Sequence, residues 1–216
     1  MLRTPPPFPD AAMKLFFSVT SPYVRKCLAV AHELGVDQRI ELLPSNAHPV
    51  QRDAGIVAVN PLGKVPTLIT DDGSVLYDSR VICEYLDTTF GGRLFPREGT
   101  ARWQALVLQS LADGVLDAAL LVRYEEAVRP AELRWPAWRD GQMDKVASAL
   151  QSLEREAQTL AGRVDIGTLA LGAALGYLDL RFDAWGWRQR VPALAVWAAG
   201  FMQRPSMQKQ WAAPTA

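Results

Sequence analysis

At 216 residues, 49 % of them hydrophobic, the chain is long enough to bury a substantial core as one or two domains. Its 23 Lys and Arg are balanced by 23 Asp and Glu, and no basic stretch is interleaved with aromatics, so no electrostatic footprint for nucleic acid appears. Two cysteines, Cys27 and Cys83, and two histidines, His32 and His48, lack metal-ligand spacing; no metal and a reducing, cytoplasmic setting are expected.

Residues 1–12, with Pro5-Pro6-Pro7 and Pro9, contain no long apolar run and read as a flexible tail, neither a secretory signal nor a membrane span. Met13-Lys14-Leu15-Phe16-Phe17 suits the start of a first strand, which makes Met13 a candidate translation start. Lys14 to Ser18 reads as that strand, Tyr23 to Leu34 as a helix ended by Gly35, and Arg39 to Leu43 as a second strand. A short helix around Val50 to Val59 follows.

Asn60-Pro61-Leu62-Gly63-Lys64-Val65-Pro66 then enters the apolar run Thr67-Leu68-Ile69. A proline can open a strand or sit in a cis turn but cannot donate from a central position. If the Val65-Pro66 bond is cis, the Val65 amide and carbonyl turn outward together and can pair with an extended ligand. Taken alone, an ordinary turn before a strand explains the segment as well. Asp71-Asp72-Gly73-Ser74 signals a hairpin into Val75-Leu76-Tyr77, and Asp78-Ser79 opens a helix to about Thr89. Ser79 therefore stands where free N–H groups and the helix dipole favour an anion, although Asp78 or Ser79 also serves there as a simple cap.

Residues 13–90 thus follow a βαβ-α-ββα plan with one mixed sheet, a thioredoxin-like domain. Residues 91–100 read as a linker and 101–216 as an all-helical bundle, giving an α/β plus all-α fold. Its helices are expected over Ala101 to Val128, Ala137 to Leu160, Gly167 to Trp185 and Pro192 to Gln203. The third is apolar nearly all round and so central, with Asp165 and Thr168 placed as an N-cap and its partner.

Three segments in this order resemble the glutathione transferase family: Ser21-Pro22-Tyr23-Val24-Arg25-Lys26, Asn60 to Pro66 with Asp78-Ser79, and Asp165 to Asp179. The serine in the first segment resembles the bacterial type with a Ser-containing active-site loop. The family usually opens its central helix with Ser or Thr followed three residues later by Asp; here Asp165 and Thr168 exchange those roles. The resemblance implies glutathione as cosubstrate, paired through Val65 after Pro66, with Ser79 on the γ-glutamyl carboxylate and Asp78 on the ammonium. It also puts Lys64 and His48 at the glycyl end.

For thiol activation the resemblance points to the end of the first strand, where Ser18, Thr20, Ser21 and Tyr23 are available. Ser21, just before Pro22, is the first choice, with Thr20 as its substitute and a plain N-cap as the alternative role. Ser21 would donate to the sulfur of an attacking thiolate. Cys27 and Cys83 are expected as buried spacers. The resemblance further implies an electrophile pocket bounded by Tyr23, Trp103, Leu106, Ser110 and Tyr124, and no catalytic role is assigned to Asp113 or Asp117. It implies a homodimer, with Tyr77, Arg80, Phe95 and the Trp103 helix at the interface, and a detoxifying transferase acting on a small hydrophobic electrophile, with no membrane partner. A non-catalytic binder of glutathione or hydrophobic ligands is the alternative.

Overall fold

The computed structural model describes residues 13–209; the expectations for residues 1–12, Met13 as start among them, concern a segment outside the described residues. Strand β1 (Met13–Phe17) is followed by α1 (Pro22–Glu33), β2 (Ile40–Pro44), the short α2 (Ala54–Val57), β3 (Thr67–Ile69), β4 (Val75–Leu76) and α3 (Ser79–Phe90). The sheet runs β2-β1-β3-β4, with β1 parallel to β2 and antiparallel to β3. Met13, Leu15 and Phe17 alternate onto the buried face of β1, where they join the core that also takes in α1 and α3.

Helix α1 starts where Ser21 caps it and Pro22 supplies a helical φ, and Gly35 leaves it with φ +73°. The Cys27 and Cys83 thiols meet at 3.8 Å between α1 and α3, both buried, as spacers in the core. The second strand begins one residue later than expected because Asp37–Arg39 close a 3-10 turn first.

The helical part comprises α4 (Gly99–Ala127), α5 (Pro136–Arg155), α6 (Ile166–Phe182), α7 (Trp187–Arg190), α8 (Pro192–Phe201) and α9 (Pro205–Gln208). The helix expected to run to Leu160 instead stops at Arg155, and Ala157–Leu160 form a 3-10 turn. Both segments bury apolar residues on the same core, so their periodicity reads through the break. Likewise α6 ends at Phe182 before a 3-10 turn over Asp183–Trp185, and α8 ends at Phe201. The four-residue helices α7 and α9 have too few residues to show a period.

The Asp165 and Thr168 pair forms a reciprocal capping box: the Asp165 carboxylate accepts from the Thr168 N–H, and the Thr168 hydroxyl accepts from the Asp165 N–H, both at 3.0 Å. The exchange of side chains preserves both bonds. Helix α4 is long and apolar enough, by length and composition, to cross a membrane; here it packs along α5 and α6 and buries Gln109, Asp113 and Glu125.

Gly167 lets α6 approach α4 at close range. A Cβ there would stand 2.7 Å from the Ala105 carbonyl oxygen and 2.8 Å from the Leu108 Cβ, both fixed by backbone. Overpacking costs about 1–3 kcal/mol, and the upper end applies to a neighbour that cannot swing away. A helical Gly→Ala change returns about 1 kcal/mol. Gly167→Ala is therefore expected to lose about 2 kcal/mol in urea unfolding with an unchanged slope; a variant as stable as the parent would mean that the helices separate at little cost.

Candidate active site

The Asn60 to Thr67 loop is built around a buried polar knot. The Asn60 amide donates to the Thr67 hydroxyl at 2.8 Å and to the Lys64 carbonyl at 3.3 Å, and its oxygen accepts from the Leu62 N–H at 3.0 Å. The Thr67 hydroxyl donates in turn to the Lys64 carbonyl at 2.8 Å. With both sides of the loop tied down, the Val65-Pro66 peptide is cis, and no described residue hydrogen-bonds the Val65 amide or carbonyl. Pro66 is buried while Val65 is half-buried and Lys64 exposed.

On the next hairpin arm, Tyr77-Asp78 is also cis. Asp78 caps α3 by accepting from the Arg80 N–H at 2.9 Å. Ser79 is buried, and its hydroxyl has no hydrogen-bond partner among the described residues. The first turn of α3 thus keeps free donors beside the open Val65 backbone, an arrangement suited to an extended ligand ending in a carboxylate. The His48 Nδ1 accepts from the Val50 and Gln51 N–H groups at 3.2 and 3.0 Å, which fixes the ring.

Ser21 acts as the N-cap of α1: its hydroxyl oxygen accepts from the Val24 N–H at 3.3 Å. Its own N–H donates to the Ser18 carbonyl at 3.0 Å, which leaves the hydroxyl proton as its available donor. Ser21 borders a shallow recess with Ser18, Val19 and Arg25, and Thr20 beside it is exposed. Tyr23 donates its phenol proton to Asp117 in a short hydrogen bond. Burial first, then Asp117, pushes that phenol far above its ordinary range, so Tyr23 is a committed donor at neutral pH.

Helix α4 does not bring the expected pocket residues together. Trp103 and Tyr124 lie near opposite ends of it, about 30 Å apart by the helical rise, so one small pocket cannot hold both. Leu106 packs on the first core, while Trp103 and Ser110 are exposed at the Trp103 end; only Tyr124 lies beyond the Tyr23–Asp117 bond. Among the interface candidates, Phe95 is only 6 % exposed within the chain's own core and has little surface for a second copy. Asp113 and Asp117 both bind cross-helix partners, in keeping with structural roles. Sequence reasoning also passed over Lys26, which pairs with Asp113, and the pairing of Asp87 with three backbone amides.

Fold and site together define a class: a family model described as the glutathione S-transferase N-terminal domain matches residues 20–89. The chain is 48 % identical to a glutathione transferase family member from Pseudomonas fluorescens, solved with bound glutathione. That match has a TM-score of 0.90 and covers 92 % of this chain and 98 % of the other. A second structure of a Pseudomonas fluorescens family member, with bound S-(propanoic acid)-glutathione, matches at 47 % identity and a TM-score of 0.86, covering 92 % and 98 %. The uncharacterized GST-like protein YibF of Escherichia coli is 34 % identical over 202 residues, 91 % of this chain and 97 % of that protein. The chain belongs to the glutathione S-transferase family.

Proposed function

We propose that this protein activates glutathione for attack on a small electrophile. The observation that carries the reading is the unpaired Val65 backbone beside the open first turn of α3. Glutathione would add there as a short strand, its cysteinyl backbone on Val65, its γ-glutamyl carboxylate on the Ser79 hydroxyl and N–H groups, and its ammonium on Asp78. Lys64 and the free His48 nitrogen are assigned to the glycyl carboxylate. Bound glutathione in a 48 % identical relative supports this assignment, and the S-substituted glutathione in the related structure supports conjugation.

Ser21 is assigned the thiol. Because its oxygen already accepts from Val24, the cap holds the hydroxyl in place and leaves its proton to donate to sulfur. Lowering a thiol from ~8.5 by two units takes about 2.7 kcal/mol; a hydrogen bond to a charged group supplies about 1.5–3 and the helix terminus about 0.3–1. The thiolate then attacks the electrophilic carbon, and the C–S bond forms as the carbon's leaving group, such as chloride from chlorodinitrobenzene, departs to solvent with its electron pair. A homodimer is part of the proposal: Val81, Trp103 and Val107 are 47, 65 and 66 % exposed along α3 and α4, an apolar face for a second copy.

Calorimetric titration with glutathione and conjugation of chlorodinitrobenzene test the two halves. Ser21→Ala should bind glutathione nearly as the parent does, raise the thiol pKa of the complex, and slow conjugation at least tenfold near pH 6.5. Unchanged pKa and rate would move the role to Thr20 or a backbone amide. Glutathione binding without turnover of any electrophile would favour a binding protein over a transferase.

A further inference from the structure

Ser21 stands at the start of α1, and a helix end is its least restrained part, since its first N–H groups have no partner within the helix. The Ser21 oxygen accepts from the Val24 N–H, and the Ser21 N–H donates back to the Ser18 carbonyl. Both bonds are local and move with the turn. Pro22 and Val24 are buried and set how deep the turn lies, but apolar contact is non-directional and leaves it free to slide or roll. Tyr23, between them, supplies a directed contact: its phenol donates across to Asp117 of α4.

The next polar ties along α1 are Arg25 to the Met207 carbonyl and Lys26 to Asp113. From Lys26 with Asp113 to Tyr23 with Asp117, the pairing steps about one turn along each helix, in opposite directions. The Tyr23–Asp117 bond thus carries the α1–α4 seam to within one turn of Ser21. Asp117 occupies an exposed position on α4, and the Tyr23 phenol is its hydrogen-bond partner among the described residues, which offer it no cation within ion-pair distance. A phenol donating to a carboxylate makes a charge-assisted hydrogen bond, roughly twice as strong as a neutral one. Tyr23 packs half-buried on the helical core, so water competes for its hydroxyl on few sides.

Building on the glutathione reading above, we infer that Asp117 is a positioning residue for the thiol step: acting through Tyr23, it fixes the first turn of α1 so that the Ser21 hydroxyl points at the glutathione sulfur. A hydrogen bond weakens steeply as its angle closes, and a displacement of about 0.5 Å already leaves productive geometry. The open Val65 backbone and the first turn of α3 belong to other elements, so the bond governs the thiol pKa and not the affinity for glutathione.

The sign of the effect separates positioning from charge. Removing a negative charge near a thiolate lowers the thiol pKa, whereas loosening the Ser21 donor raises it. Tyr23→Phe and Asp117→Ala should each raise the thiol pKa of the glutathione complex by about half a unit, read from the ultraviolet absorbance of the thiolate, and slow conjugation of chlorodinitrobenzene about threefold below that pKa. The glutathione Kd from calorimetry should stay within about twofold of the parent's, which also reports that the variants are folded. The double variant should be no worse than either single one, and Asp117→Asn, which keeps an accepting oxygen, should return the pKa toward the parent value. An unchanged or lowered pKa in either single variant, a weakened glutathione Kd, effects that add in the double variant, or an Asn variant no better than Ala overturns the inference and leaves the glutathione site of the parent standing. Failure of glutathione to bind the parent overturns both.

Discussion

Asp113→Ala should lose about 3–5 kcal/mol of unfolding free energy, because it strands a buried ammonium group. The Lys26 side chain is 0 % exposed and its Nζ lies 2.7 and 3.0 Å from the two Asp113 oxygens, themselves on a side chain 3 % exposed. Arg80 completes the group at 2.9 Å, but it is 51 % exposed, so water replaces much of what it would lose. The contrast between the two cations makes the expectation sharp. Arg80→Ala should cost no more than about 1 kcal/mol. Replacing both buried partners, as Lys26→Met with Asp113→Leu, should restore most of the stability, since the charge and its desolvation penalty leave together. Urea unfolding of the three variants checks this; an Asp113→Ala protein within 1 kcal/mol of the parent would mean that water reaches Lys26. The site depends on this group too, because α1 carries Ser21, α3 carries Ser79, and Asp113 ties both helices to α4.

Asp87→Ala is expected to cost about 3 kcal/mol or more. The carboxylate of Asp87, 2 % exposed, accepts from the N–H groups of Arg93, Leu94 and Phe95 at 3.0, 2.8 and 3.1 Å. Leu94 and Phe95 are themselves buried, so their amides have no water to fall back on. An unsatisfied buried donor costs about 1–3 kcal/mol, and two of the three are in that position. The same segment meets the helical part directly, where the Leu94 carbonyl accepts from the Ile166 N–H at 2.9 Å. Asp87→Asn keeps one accepting oxygen and should recover part of the loss. If Asn proves no better than Ala in thermal and urea unfolding, the negative charge rather than the bonding pattern holds the turn.

Local chemistry was legible wherever it acts over a few residues. Ser21-Pro22 and Gly35 bounded α1, Asp165 with Thr168 announced the capping box, and the Val65-Pro66 and Asp78-Ser79 pairs marked the backbone surface and the helix start. The break at Glu156 was hidden because the segments on both sides bury residues on one core, so the apolar period continues while the backbone changes. Trp103 and Tyr124 looked like neighbours in a pocket, and the rigid rise of α4 separates them.

From the sequence alone came the order of strands and helices, because caps, prolines and periodicity act through nearest neighbours, and the family, through the resemblance of three segments in their order. Tertiary structure alone decided which buried charges are paired and with what. Lys26 finds Asp113 at a separation of 87 residues and Tyr23 finds Asp117 at 94. Spacing along the chain does not encode such pairings; they follow from where packed helices bring side chains out of water, and there a charge left without a partner is costly.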